Sequence, residues 1–189
     1  MDKRILKTFM ALAVAGVLTT MSAAPAAAAE LVLGTGGIES AYFALGNKLV
    51  KAFALDVTGF QVNSQATKGD KDNIKLLGKK RRGAQLGFAT LGAAKAAWNA
   101  KGKKQNRKIA GLISIGQNKD GKTVVLLASK KLKDAHAEAI VSYLLSDKGK
   151  KRMAKLRARW NAQSGAAAFK AAGIPQHPGA KSALKAMGM

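Results

Sequence analysis

Between residues 31 and 100, short apolar runs alternate with segments of helical periodicity, and glycine-containing loops lie between them. The predicted strands are 31–33, 60–63 and 84–89, and the predicted helices are 40–53, a segment around Leu76, and 92–100. This order predicts a parallel sheet with helices on both faces, because each crossover places its helix against the sheet. The chain is therefore predicted to be an α/β protein whose ligand lies at the carboxyl ends of the strands.

Two β-branched apolar runs, at 109–115 and 123–129, predict strands joined by a polar turn. The segment from Gly116 to Thr123 formally satisfies the phosphate-loop pattern. A phosphate loop works because a helix follows it and points backbone N–H groups at the phosphates. Here a strand follows, so the sequence predicts a hairpin turn and argues against nucleotide binding.

The last third of the chain is predicted to be helical. Asp134 is expected to cap a long helix, and a strongly basic helix is expected after a break near Ser146. Met153, Leu156 and Trp160 are expected on one side of the basic helix, where they favour the core over a cofactor site. The basic side favours a solvated face over a binding surface.

The first 29 residues have the pattern of a cleavable secretory signal. Lys3, Arg4 and Lys7 form a positive start, and an apolar run too short to span a bilayer follows from residue 9 to about 21. Small residues then lead to an A-x-A cleavage site just before Glu30. The prediction is export to the periplasm and one mature domain at 30–189, with a retained membrane anchor as the alternative.

The charge balance is strongly basic. The chain has 33 Lys and Arg against 10 Asp and Glu, a net charge of +23, and removal of residues 1–29 leaves +21 because that segment holds three basic and one acidic residue. Such a field attracts anions, although it also serves solubility. Nucleic acid is not the expected partner, because the basic stretches lack interleaved aromatic residues.

Catalysis and metal binding have little support in the sequence. With no cysteine in the chain, thiolate metal sites and cysteine nucleophiles are excluded. His136 is expected to be exposed on a helix, and His177 lies between Pro175 and Pro178, with no nucleophile or metal-ligand spacing near either. We therefore expect no enzyme, no cofactor and no metal site.

Three segments, in order, resemble the TAXI-type solute-binding proteins of TRAP transporters. They are a glycine loop with an aromatic pair (33–46), a second loop, helix and strand (66–88), and a tail with Pro-Gln-His-Pro-Gly-Ala (174–180). The resemblance implies a type II periplasmic binding protein-like fold, in which one three-layer αβα lobe has a mostly parallel sheet. It also implies a small organic anion such as a carboxylate as ligand, and a membrane permease as partner.

The resemblance assigns residues as well. The implied ligand contacts are Thr35, Gly36, Gly37, Tyr42, Thr67, Gly69, Asn73 and Thr90. The structural tail motif is Pro175, His177, Pro178 and Gly179, in which the histidine is expected to brace the tail against the domain.

The chain departs from the family pattern at several points. Family members have two lobes that close on the ligand, whereas this sequence predicts one, so a second chain or self-association is expected to cover the site. Lys68 and Asp70 stand where the family has small residues, and Thr90 stands where a glutamine is expected.

Glu39 replaces the third glycine of a dinucleotide-binding fingerprint, leaving only a glycine turn before a helix.

Two further interpretations stay open at this point. The run at 141–150 also resembles the late helix of phosphate- and phosphonate-type binding proteins, which indicates an ABC importer as an alternative. The net charge indicates a different class, a non-enzymatic cationic adaptor of the periplasm that docks on anionic envelope components or an acidic partner.

Overall fold

The computed structural model describes residues 28–79, 83–102, 105–156 and 160–189. Most of the predicted signal peptide lies outside these ranges, so the signal and its cleavage site stay predictions. The described residues form five strands and seven helices. The strands are β1 (Ala29–Gly34), β2 (Phe60–Gln65), β3 (Leu86–Thr90), β4 (Ile109–Gln117) and β5 (Thr123–Ser129). The helices are α1 (Ala41–Asp56), α2 (Asp70–Leu77), α3 (Leu91–Asn99), α4 (Asp134–Leu145), α5 (Asp147–Leu156), α6 (Ala166–Ala172) and α7 (Pro178–Ala186).

The five strands form one sheet in the order β2-β1-β3-β5-β4. β1 pairs in parallel with β2 and β3, while β5 runs antiparallel to both of its neighbours. Four of the five strands therefore point the same way, and the predicted fold class, a three-layer αβα lobe with a mostly parallel sheet, is confirmed.

The helices cover both faces of the sheet. On one face α1, α4, α5 and α7 pack over a core that includes Leu33, Phe53 and Leu126, all almost fully buried. On the other face α2, α3 and α6 pack over a smaller core around Leu77 and Phe169. None of the helices in the described ranges has the length and apolar character needed to cross a membrane.

The β4–β5 connection is a tight hairpin, as the sequence predicts. β5 follows the turn directly, and the turn is closed by Asn118, whose Oδ1 accepts from the N–H groups of Asp120 (3.0 Å) and Lys122 (2.9 Å). Gly121 has φ +72°, a conformation that glycine adopts without cost. The formal phosphate-loop match is therefore a hairpin turn.

Several predicted boundaries are corrected. β3 begins at Leu86 rather than at residue 84. Just before it, Gln85 contacts β1 through its side chain, because its Oε1 accepts from the Val32 N–H (2.8 Å). Lys133, not Asp134, is the N-cap of α4, without a side-chain cap bond. Trp160 lies beyond the end of α5 but is buried, as expected of a core residue.

Candidate functional site

The N-termini of α1, α2 and α3 meet at the carboxyl edge of β1 and β3. The Ser40 hydroxyl caps α1 by accepting from the Phe43 N–H (3.1 Å), and the Thr90 hydroxyl caps α3 by accepting from the Ala93 N–H (3.3 Å). α2 begins after Gly69, which has φ +100° and no side chain to cap with. Helix N-termini carry partial positive charge, so this edge favours a negatively charged group.

Two of the predicted contacts lie beneath this edge. Asn73 and Thr35 are fully buried, and the Asn73 amide Nδ2 donates to the carbonyl oxygens of Thr35 and of Phe88 (2.8 Å). The Thr35 hydroxyl donates to the Gln65 carbonyl (2.9 Å). A Cβ on Gly34 would lie 2.5 Å from the Asn73 Oδ1, so the asparagine fits only beside a glycine. These side chains tie β1 to its neighbours, and the hydrogen bonds that they donate go to backbone carbonyl oxygens.

The second loop is held to the first. The Thr67 backbone N–H donates to the Gly36 carbonyl (3.1 Å), and the Thr67 hydroxyl accepts from the Gly69 N–H (3.2 Å). Gly36 is buried and Gly37 is exposed. Within the described ranges, no hydrogen-bond acceptor takes the backbone N–H of Gly36 or Gly37. The first loop therefore presents backbone donors next to the start of α1.

Asp70 closes the edge between α2 and α3. Its Oδ2 accepts from both the backbone N–H and the hydroxyl of Thr90. Two of the three residues that depart from the family pattern, Asp70 and Thr90, are thus partners of each other.

An open cavity of about 480 Å³ lies beside the N-terminus of α1, and we call it the α1 pocket. Its lining comes from the start of α1, the β4–β5 turn and the segment after α5: Glu39, Ser40, Ala41, Tyr42, Asn118, Lys119, Asp120 and Trp160. The Tyr42 ring lies 6.1 Å from Phe88 and 6.2 Å from Trp160 between centroids, so an aromatic wall forms one side. Polar and charged groups of both signs form the rest.

The Tyr42 hydroxyl stays protonated at neutral pH. Burial raises the pKa of Tyr42, and the carboxylates of Asp70 and Asp120 raise it further, while a hydrogen bond with the Asn118 side chain opposes them. The phenol is therefore a neutral hydrogen-bonding group at the mouth of the α1 pocket.

The structure separates the predicted contacts into four groups. Tyr42 lines the α1 pocket, Gly36 and Gly37 form the loop beside it, and Thr67, Gly69 and Thr90 surround Asp70. Thr35 and Asn73 lie below. Of the eight residues that line the pocket, only Tyr42 is a predicted contact; the unpredicted ones include four with polar or aromatic side chains, Ser40, Asn118, Asp120 and Trp160. Ser40 carries a readable signal as a serine before a helical run, but the other three reach the pocket only through the tertiary fold.

The tail motif lies at the start of α7. His177 is almost fully buried and is the N-cap of α7, where its Nδ1 accepts from the Gly179 N–H (3.3 Å). A Cβ on Gly179 would lie 2.1 Å from the Asp134 carbonyl oxygen, so α7 approaches α4 more closely than another residue permits. Pro178 occupies the first turn of α7, where its missing N–H costs nothing.

His136 is not exposed as predicted, since it is half-buried with its ring 5.1 Å from that of Phe60 between centroids. Burial lowers the pKa of both His136 and His177. In the parts of the chain that the structure describes, no three His, Asp or Glu side chains are grouped so as to hold a metal ion.

Residues 33–119 match the model of the NMT1-like family. The match runs from the end of β1 to the end of β4, includes both loops and the start of the hairpin, and covers slightly less than half of the 189 residues. This family is periplasmic-binding-protein-like, so over this range the chain is similar to solute-binding-type proteins of the periplasm. No curated protein gives a significant match to the sequence.

Proposed function

We propose that the chain is a periplasmic solute-binding-type protein of a TRAP (TAXI) transport system that holds a small organic anion, such as a carboxylate, in the α1 pocket. The observation that carries the proposal is the convergence of three helix N-termini on one edge of the sheet, next to an open pocket. The similarity of residues 33–119 to the NMT1-like family supports it. The protein is exported by residues 1–29, performs no catalysis and delivers its solute to a membrane permease.

The groups around the α1 pocket define where each part of a ligand goes. The ligand carboxylate lies at the first turn of α1, which lines the pocket and where partial positive charge is concentrated, and Gly36 and Gly37 in the preceding loop contribute further backbone N–H groups. The neutral Tyr42 hydroxyl adds a hydrogen bond. Because Glu39 and Asp120 also line the pocket, a ligand with an amino group as well as a carboxylate fits the charges better than a simple anion.

The other predicted contacts support the site in different ways. Thr67, Gly69 and Thr90 shape the second loop and the start of α3, while Thr35 and Asn73 hold the strand ends beneath the loops. Closure around a ligand excludes water and strengthens its polar contacts. The α1 pocket is open, so we propose that a second chain, or a second copy of this one, covers the bound solute.

A thermal-shift screen tests the proposal. The panel contains glutamate, succinate, methylphosphonate and ethanolamine, each at about 50 and about 200 mM salt. We expect glutamate or succinate to raise the melting temperature saturably at both salt concentrations, because a bound ligand stabilises the folded state by mass action. Stabilisation by methylphosphonate alone would favour the ABC-importer interpretation. No stabilisation by any compound would contradict solute binding.

A further inference from the structure

A second concave surface lies between α2 and α3, away from the α1 pocket, and we call it the α2–α3 groove. It has a volume of about 840 Å³. Its floor is apolar and consists of small or buried residues: Ile74, Ala93, Ala96, Ala97 and Ala100. Its rim carries five exposed cationic side chains, Lys71, Lys75, Lys79, Arg107 and Lys108. Within the described ranges, no carboxylate lines the groove.

The groove is fixed in shape by one half-buried hydrogen-bonding residue, Asn106. The Asn106 amide Nδ2 donates to the Ile74 carbonyl of α2, and the Asn106 backbone N–H donates to the Ala97 carbonyl of α3 (3.0 Å). Lys108 ties the same loop to the end of α2, since its Nζ donates to the Gly78 carbonyl (3.2 Å). The loop therefore joins both helices and forms the end wall of the groove.

The cations of the rim are available to an anionic partner. None of the five forms an ion pair with the chain's own Asp or Glu in the region that the structure describes. The Arg107 guanidinium lies 4.4 Å from the centre of the Trp98 ring, a contact that positions the charge without neutralising it. Cations in such a position attract carboxylates over roughly a Debye length, about 10 Å at 0.1 M salt.

We propose that the α2–α3 groove is a docking site for an acidic amphipathic segment of a partner protein. The alanine floor leaves room for the apolar side chains of such a segment, and the cationic rim matches acidic residues along its edges. A flat lipid surface does not fill a concave groove. A second copy of this chain matches the cationic rim poorly, because its 33 Lys and Arg far outnumber its 10 Asp and Glu. This proposal is independent of solute binding in the α1 pocket.

The test measures binding of a fluorescein-labelled synthetic helical peptide with leucines along one face and glutamates along both edges. The groove variants are Lys71→Glu with Lys75→Glu, which reverses two rim charges, and Ala96→Trp, which fills the floor from an exposed position. The matched control is Lys181→Glu with Lys185→Glu, the same charge change on exposed positions of α7, on the other face of the sheet.

We expect saturable binding that weakens about tenfold in both groove variants and less than about twofold in the α7 control, since local ion pairs and a blocked floor act only at the groove. A peptide of the same composition with its leucines and glutamates scrambled should bind about tenfold more weakly. Circular dichroism and thermal melts confirm that each variant is folded.

Two results would overturn the proposal. Equal losses in the groove and α7 charge variants would show that only the net charge attracts the peptide. Binding to vesicles of phosphatidylglycerol that depends on Ala96, together with no peptide binding, would assign the groove to lipid.

Discussion

Asp70 Oδ2 accepts two hydrogen bonds from Thr90, one from its backbone N–H (2.9 Å) and one from its hydroxyl (2.6 Å). The carboxylate thereby ties the start of α2 to the start of α3. It also takes up two hydrogen-bond donors at the N-terminus of α3. A fixed internal carboxylate in that position competes with an external anion for the same donors. The first turn of α1, which lines the α1 pocket, holds no acidic residue of its own.

The replacement Asp70→Ala is predicted to strengthen carboxylate binding in the α1 pocket, because it removes a negative charge that lies close enough to Tyr42 to raise the pKa of its hydroxyl. Affinity for the carboxylate that stabilises the wild-type protein should rise several-fold, while the free energy of unfolding falls by about 1–3 kcal/mol because hydrogen bonds to a charged group are lost. Calorimetric titration and urea denaturation measure the two effects. The control Asp72→Ala removes a neighbouring carboxylate that does not contact Thr90. An unchanged or weaker affinity in Asp70→Ala would mean that the Asp70 carboxylate does not oppose binding of the ligand carboxylate.

Asn73 is predicted to be the most costly polar position at this edge. The replacement Asn73→Leu keeps much of the side-chain volume but leaves the buried carbonyls of Thr35 and Phe88 without their donor. The free energy of unfolding should fall by about 2–4 kcal/mol, since unsatisfied buried polar groups cost about 1–3 kcal/mol each. Urea denaturation measures this free energy, and the control is the same replacement at an exposed position, Asn99→Leu. A loss below about 1 kcal/mol would contradict the bracing role.

Protonation of His177 is predicted to destabilise the protein. Burial lowers the pKa of His177, and the nearby Asp134 carboxylate opposes this only in part. Because the folded pKa lies below the unfolded value of about 6.5, the contribution to stability is present above that value and is lost as the pH falls through the folded pKa. The urea concentration at the unfolding midpoint should therefore decrease as the pH is lowered from about 7.5 to about 5.

The variant His177→Asn isolates the contribution of His177 protonation from that of the other titrating groups. Asparagine still accepts at an N-cap but does not titrate, so the pH dependence should become shallower. It should not vanish, because burial also lowers the pKa of His136. A slope as steep as that of the wild type would exclude His177 as a source of the pH dependence.

Tyr143 is predicted to titrate far above the usual tyrosine range. Burial and, to a smaller extent, the Asp56 carboxylate, which accepts from its hydroxyl (2.8 Å), together raise the pKa of Tyr143 to about 12. Stability that depends on the neutral phenol is present below the unfolded pKa of about 10 and is lost as the pH rises towards the folded value. Asp56 itself is paired with Lys148 (2.8 Å) and Arg152 (3.0 Å).

Ultraviolet titration of tyrosinate measures the Tyr143 pKa in a Tyr42→Phe background, which leaves one tyrosine. Adding Asp56→Asn should lower the pKa without returning it to about 10, because burial is the larger cause. A Tyr143 that titrates near 10 before Asp56 is replaced would contradict its burial beside that carboxylate.

Much of the fold was predictable from the sequence because local patterns decide it. Strand and helix periodicity identified the alternating elements of the first half, and the β-branched runs on both sides of Gly116–Thr123 identified the hairpin. The position of β5 between β3 and β4 was not predictable, since the pairing of distant strands depends on the packing of the whole sheet.

The site was predictable only in part. Polar residues such as Thr35 and Asn73 look like ligand contacts in a sequence, yet their donors are used by buried carbonyls that only the fold brings near. Asn118 and Trp160 gave the opposite problem. They read as a turn residue and a core residue, and they line the α1 pocket because the fold brings the β4–β5 turn and Trp160 beside the start of α1.

The central claim is that the α1 pocket holds the solute, and calorimetric titration of two tryptophan variants tests it most directly. Ala41 lines the pocket, whereas Ala44 lies one turn further along α1 at an exposed position outside it. The account predicts that Ala44→Trp binds the stabilising carboxylate as the wild type does and that Ala41→Trp binds it about tenfold more weakly or worse, a loss of about 1.4 kcal/mol. Wild-type affinity in a folded Ala41→Trp protein would contradict the account and place the solute elsewhere.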